Sequence, residues 1–144
     1  MDTSFSLAGV TPVPMIAFGV YALLTAFVCA FHLAMIAGAP WGHLTMGGRW
    51  PGRLPMEGRI SAGVSALLLI GLLGLVAARA GLVDPDGPLV ALLHLPVWSF
   101  WLVPAWLALG VVLHILTPSK AERLLWLPVL IGLLGAALTV GLAA

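Results

Sequence analysis

Apolar residues in this chain do not alternate with polar ones at a strand or surface-helix period. They run almost unbroken, and the charged residues gather in the gaps between the runs. A helix that crosses a hydrocarbon core of about 30 Å needs roughly 20 mainly apolar residues. Four such runs are predicted to be membrane-spanning helices, at about 14–39, 60–79, 88–116 and 122–144. The gaps carry turn chemistry. Gly81-Leu-Val-Asp-Pro-Asp-Gly-Pro88 separates the second and third runs, with Asp, Pro and Gly each suited to a turn. Thr117-Pro-Ser-Lys-Ala-Glu122 separates the third and fourth, and its Ser119 and Glu122 have the spacing of a capping box at a helix start. The expected fold is an all-α, polytopic four-transmembrane-helix bundle forming one domain over residues 1–144.

Composition agrees with that reading. Of 144 residues, 62% are apolar and only 8% charged, against about 25% charged in an ordinary soluble domain. The net charge of +1 provides no clustered basic surface, which speaks against a nucleic-acid partner. Cys29 is the sole cysteine, so an intramolecular disulfide is excluded and an inert buried thiol is expected. The N-terminus lacks the basic residues and short apolar core of a secretory signal, so the first run reads as an uncleaved helix.

Lys and Arg set the expected orientation. Arg49, Arg53 and Arg59 fall in the first loop and Lys120 and Arg123 in the third, while the second offers only Arg79 beside Asp84 and Asp86. Those two loops should face the cytoplasm and both termini outward, in a bacterial inner membrane. Association in lipid relies on close approach at small residues. Pro128, Gly132, Gly135, Thr139 and Ala143 form one such stripe in the fourth run, and Gly63, Ala66, Gly74, Ala77 and Gly81 another in the second. Leu69-Ile-Gly-Leu-Leu-Gly74 recurs as Leu130-Ile-Gly-Leu-Leu-Gly135, a pattern compatible with two duplicated hairpins. Pro96 and Pro104 should kink the third run. With Trp98, Trp101 and Trp106 it is either a bulky structural helix or the wall of a cavity.

Polar groups inside spans are costly and therefore the first functional suspects. Tyr21, Thr25, Cys29 and His32 project within about 80° of one another on a helix. His32 and His114 should lie toward the same end of the bundle, with His43 of the first loop near them and His94 at the opposite end. Two histidines on separate helices are the minimum for a bis-histidine haem, and imidazole also binds zinc or copper. A metal would want further ligands, for which His43, Glu57 and Cys29 are the candidates. Hydrogen bonding between helices is the plainer role for both histidines.

The first loop, residues 38–59, is far longer than a helical hairpin requires. Trp41 and Trp50 are suited to the headgroup layer, with Arg49, Arg53 and Arg59 on lipid phosphates. It should be a structured cytoplasmic segment, either an interfacial cap or a lid over a pocket containing His32 and His114. Its residues Gly38-Ala-Pro-Trp-Gly42, Gly47-Gly48, Leu54-Pro55 and Arg59, with Ser119-Lys-Ala-Glu-Arg-Leu-Leu-Trp-Leu-Pro128, resemble a group of small four-span bacterial membrane proteins. The resemblance implies the four-helix architecture and no particular activity, and His114 stands where that group carries Asn.

Three functional classes follow. The first is a non-catalytic module, an accessory subunit of a larger membrane complex or a self-associating protein, with lipid and other subunits as its partners. The second is a binder or carrier of a small apolar ligand, and the third a haem or metal protein using His32 and His114. An ion pump is disfavoured because all acidic residues are expected outside the spans, and no nucleophile–base set suggests hydrolysis.

Overall fold

A computed structural model describes residues 12–83, 87 and 96–143. Among the described residues four helices are long and apolar enough to cross a membrane. They are α1 (Pro12–Ile36), α2 (Met56–Arg79), α3 (Leu102–Leu116, extended at its start by a 3-10 turn, Val97–Trp101) and α4 (Lys120–Ala143). The tails and most of the second loop, with Asp84, Asp86 and His94, lie outside the described residues.

The helix ends follow local chemistry. Pro12 opens α1, where a missing N–H costs nothing. Both α1 and α2 stop at a glycine in the left-handed region, Gly38 at φ 95° and Gly81 at φ 76°. In each case the following amide reaches back five residues, Ala39 to the Ala34 carbonyl at 2.9 Å and Leu82 to Ala77 at 3.0 Å. That is the Schellman ending, which satisfies carbonyls the helix would otherwise leave open. Ser119 caps α4 by accepting the Glu122 amide at 3.2 Å.

The third span departs from expectation. Pro96 is extended (φ −65°, ψ 153°) and precedes the 3-10 turn, while Pro104 falls in the first turn of α3. Proline is tolerated in a first turn because its missing donor has no partner there. Pro96 therefore interrupts the predicted 88–116 run, whose residues 88–95 lie outside the described ones, while Pro104 is accommodated in the first turn of α3.

The helices pack in the order α2–α1–α4–α3, with α2 and α3 at the edges and only weakly in touch. One stripe of α1 is buried: Pro14, Ala17, Tyr21, Thr25, Val28, Phe31 and Met35. The small-residue seam of α2 is partly as expected, with Ala66 buried beside Ala62. That of α4 is not. Pro128, Gly135, Thr139 and Ala143 are exposed, and burial falls instead on Trp126, Leu133, Ala136, Ala137, Val140 and Gly141. Of the expected stripe only Gly132 is packed, where a side chain would meet Leu24 of α1, and the small residues that are buried, Ala136, Ala137 and Gly141, lie on the faces that α4 turns to its two neighbours. Nor do the two Leu-Ile-Gly-Leu-Leu-Gly segments occupy equivalent places, since α2 is an edge helix and α4 an inner one.

Arg79, the one basic residue at the opposite end from the others, donates from Nη2 to the Gly141 carbonyl at 3.1 Å. A cation there meets the negative end of the α4 dipole, and its guanidinium carbon lies 5.9 Å from the Phe100 ring centroid.

Candidate functional site: a cavity under the first loop

The first loop is a built structure. Two 3-10 turns, Gly42–Leu44 and Met46–Gly48, carry it across the bundle end. The Gly42 amide donates to the Gly52 carbonyl at 2.9 Å, closing the loop on itself. A side chain at position 42 would collide with the carbonyls of Trp50 and Gly52, so only glycine fits. Met46, Gly47 and Gly48 are all left-handed, at φ 52°, 72° and 72°. This run of positive φ reverses the chain at the tip of the loop and presents the Gly47 amide to the start of α4.

The amide's partner is a side chain. Gly47 N–H donates to Glu122 Oε2 at 2.7 Å, and the Thr117 hydroxyl approaches the same oxygen at 3.4 Å. The Ser119 hydroxyl donates to the His43 carbonyl at 2.9 Å, and the Trp126 indole N–H to the Leu44 carbonyl at 2.6 Å. The loop is thus fastened to the start of α4. Glu122 is only 6% exposed, and its side chain turns to the loop and to α3, so only the Ser119 half of the expected capping box forms.

Beneath the loop lies a cavity of about 340 Å³. Most of its wall is apolar: Val28, Phe31, Leu107, Trp126 and Leu133 come from α1, α3 and α4. Its polar groups are His32, Thr45, Ser65, His114 and Glu122. Between the edge helices its rim carries Leu68, Trp106, Leu109 and Leu113, each 42–56% exposed. The opening therefore faces sideways, toward the surface that lipid would cover. α3 lines this cavity along its length, and Thr45 and Met46 of the loop complete one wall.

His114 and Glu122 are eight positions apart but meet across the tight link between α3 and α4. His114 Nε2 stands 3.6 Å from Glu122 Oε1, the two side chains 27% and 8% exposed. Nδ1 of the same imidazole is 2.8 Å from the Gly110 carbonyl. A carbonyl only accepts, so Nδ1 carries the hydrogen and Nε2 is left to face the cavity and the carboxylate. His32 enters from α1, half-buried, its ring edge-on to Phe31 at 5.9 Å. Phe31 also meets Trp126 edge-on at 4.7 Å and stacks with Trp41 at 6.3 Å, so an aromatic cluster braces this corner.

The structure thus brings His32 and His114 to one cavity and leaves His43 exposed and outside its lining. Cys29 is also outside the lining, its thiol 4.0 Å from the Ala66 carbonyl. Glu57 is exposed on α2. Among the described residues no three His, Cys, Asp or Glu side chains come together as a metal site. Of the loop residues, Arg49 lies 5.1 Å from the Trp50 ring centroid and Arg59 donates to the Leu54 carbonyl at 3.1 Å. Trp41, Arg49 and Arg53 are exposed, while Trp50 and Arg59 are half-buried. Glu122 was the residue missed by sequence reasoning. Its place three residues after Ser119, in the first turn of α4, gave it a sufficient local explanation.

Comparisons with protein families, with curated proteins and with solved structures return no match to this chain.

Proposed function

We propose that this chain is a membrane-embedded binding protein for a small, largely apolar molecule that reaches its site sideways from the bilayer. The observation that carries the reading is the cavity of about 340 Å³ under the first loop, apolar along most of its wall and polar at one end. Ligand pockets generally combine an apolar lining with a few converging polar groups, at volumes of roughly 300–1,000 Å³. A rim of half-exposed Leu68, Trp106, Leu109 and Leu113 suits entry of a hydrocarbon tail without passage through water.

The chain sits in this proposal as a multi-pass protein of a bacterial inner membrane, the first loop cytoplasmic and both termini outside. Arg49, Arg53, Arg59, Lys120 and Arg123 lie toward the loop end and Arg79 alone at the other, which supports that orientation. The resemblance of the first loop to small four-span bacterial proteins supports the same placement. A reporter active only in the cytoplasm should be bright when inserted after Gly52 and silent when fused after Ala144. The reverse result would overturn the orientation.

The binding reading is tested by extracting co-purified small molecules from the full chain in mild detergent and from Ser65→Phe, which fills the cavity from α2. A near-stoichiometric apolar species present in the first extract and absent from the second is the expected result. Identical extracts from two equally folded proteins would remove the cavity from consideration and return weight to an accessory-subunit role.

A further inference from the structure

The cavity under the first loop is bordered by more hydrogen-bond donors than the fold uses. Thr45, Ser65 and His32 line it, and among the described residues neither hydroxyl nor the His32 imidazole has a hydrogen-bond partner. They come from the first loop, from α2 and from α1. The fold's own polar contacts at this end, Gly47 to Glu122, His114 to Gly110 and Trp126 to Leu44, leave all three aside. A hydroxyl has one hydrogen to donate, and an imidazole keeps at least one N–H in every tautomer and charge state. Three donors therefore border the space from three sides, whatever the protonation of their neighbours.

Two further features narrow the guest. Among the described residues no Lys or Arg lines the cavity, although Arg49, Arg53, Arg59, Lys120 and Arg123 all lie toward this end of the bundle. A carboxylate or phosphate head would find no cation to pair with it there, and an unpaired buried charge is costly. The walls are also rich in rings. Phe31, Trp106, Trp126 and the imidazoles of His32 and His114 border one space of about 340 Å³. Phe31 and Trp126 meet edge-on at 4.7 Å, whereas Trp106, 51% exposed at the mouth, has no ring partner among the described residues. Flat, rigid walls suit a flat guest, and a ring laid against an aromatic side chain gains more than its buried area accounts for.

Resting on the binding reading above, we infer that the cavity takes a lipid of the quinone type, a flat ring with uncharged carbonyl oxygens on a hydrocarbon tail. Carbonyl oxygens only accept, which matches a site whose unused groups donate. The ring oxygens accept from His32, Thr45 and Ser65, and the ring lies against Trp106. The tail leaves between α2 and α3 past Leu109 and Leu113, so that most of it stays in lipid.

The test measures equilibrium binding to the full chain in lipid nanodiscs, with empty discs subtracted for partitioning. Five radiolabelled probes share a decyl chain: decyl-benzoquinone, decylbenzene, 2-dodecanone, decanoate and decyltrimethylammonium. Decyl-benzoquinone should saturate at one molecule per chain and bind at least about tenfold more tightly than the others, the factor that one or two hydrogen bonds supply. Ser65→Ala and Thr45→Val remove hydroxyls that bond to nothing in the fold. Each should weaken the quinone several-fold and leave decylbenzene unchanged, and Trp106→Leu should weaken both ring probes. Variants that bind the quinone as the parent does would overturn the assignment. Equal binding of decylbenzene or of 2-dodecanone, or tightest binding of a charged probe, would overturn it while leaving a binding cavity. No saturable binding of any probe above empty discs would overturn the binding reading as well.

Discussion

The indole N–H of Trp126 donates to the carbonyl of Leu44 at 2.6 Å, joining α4 to the first loop across 82 positions of sequence. The indole ring is buried against Phe31, so its nitrogen cannot turn to another acceptor. Trp126→Phe keeps the ring packing and deletes the bond. The expected loss is about 1 kcal/mol, appearing as several-fold faster amide exchange across residues 42–48 with the helices unchanged. Exchange that stays slow there would show that Gly47–Glu122 and Ser119–His43 hold the loop without it.

Two glycines give a matched pair. Gly42 has the carbonyls of Trp50 and Gly52 where a side chain would go, whereas Gly71 on the exposed face of α2 has no neighbouring atom within 4 Å. Gly42→Ala should destabilise by about 2 kcal/mol or more, since rigid backbone must move. Gly71→Ala should be neutral or up to about 1 kcal/mol stabilising, as expected for a glycine inside a helix. Thermal unfolding of the two variants in one detergent decides the matter, and similar melting points would contradict the loop geometry.

The hydroxyls of Tyr21 and Thr25 are buried, at 0% and 1% exposure, with no hydrogen-bond partner among the described residues. A buried polar group left unpaired costs roughly 1–3 kcal/mol. Tyr21→Phe should therefore leave the bundle as stable as before or about 1 kcal/mol more so. A clear loss of stability would mean that the hydroxyl is engaged after all.

Absorption spectroscopy separates the binding reading from the haem and metal readings. The protein purified from cells should be colourless and should carry no stoichiometric transition metal. A Soret band that vanishes in His32→Ala or His114→Ala would make the cavity a haem site and overturn the apolar-ligand reading.

Much of this architecture was legible because lipid as solvent suppresses polar residues along every span. The four runs and the Ser119 start were readable for that reason, as was the meeting of His32 and His114 at one end. What was not legible depends on which face of a helix finds a neighbour. The glycine stripe of α4 looks like a packing seam, but a seam requires a partner along its length, and only Gly132 has one, in Leu24 of α1. Glu122 was hidden by its own local sense as a capping residue. Its tertiary role needs three left-handed residues in a loop 75 positions away, a conformation that Gly47-Gly48 permits without announcing what it will grip.

The order α2–α1–α4–α3 has a mechanical consequence. Closed four-helix rings fix the width of their interior, because every helix is clamped on both sides. Here α1 and α4 form a spine and the outer pair hang from it like leaves, so the span between them can widen while all three main contacts stay intact. A guest with a longer or bulkier tail would then be accommodated by tilting a leaf, and the end tied by Arg79 to Gly141 and Phe100, away from the cavity, is where such a tilt would find its pivot.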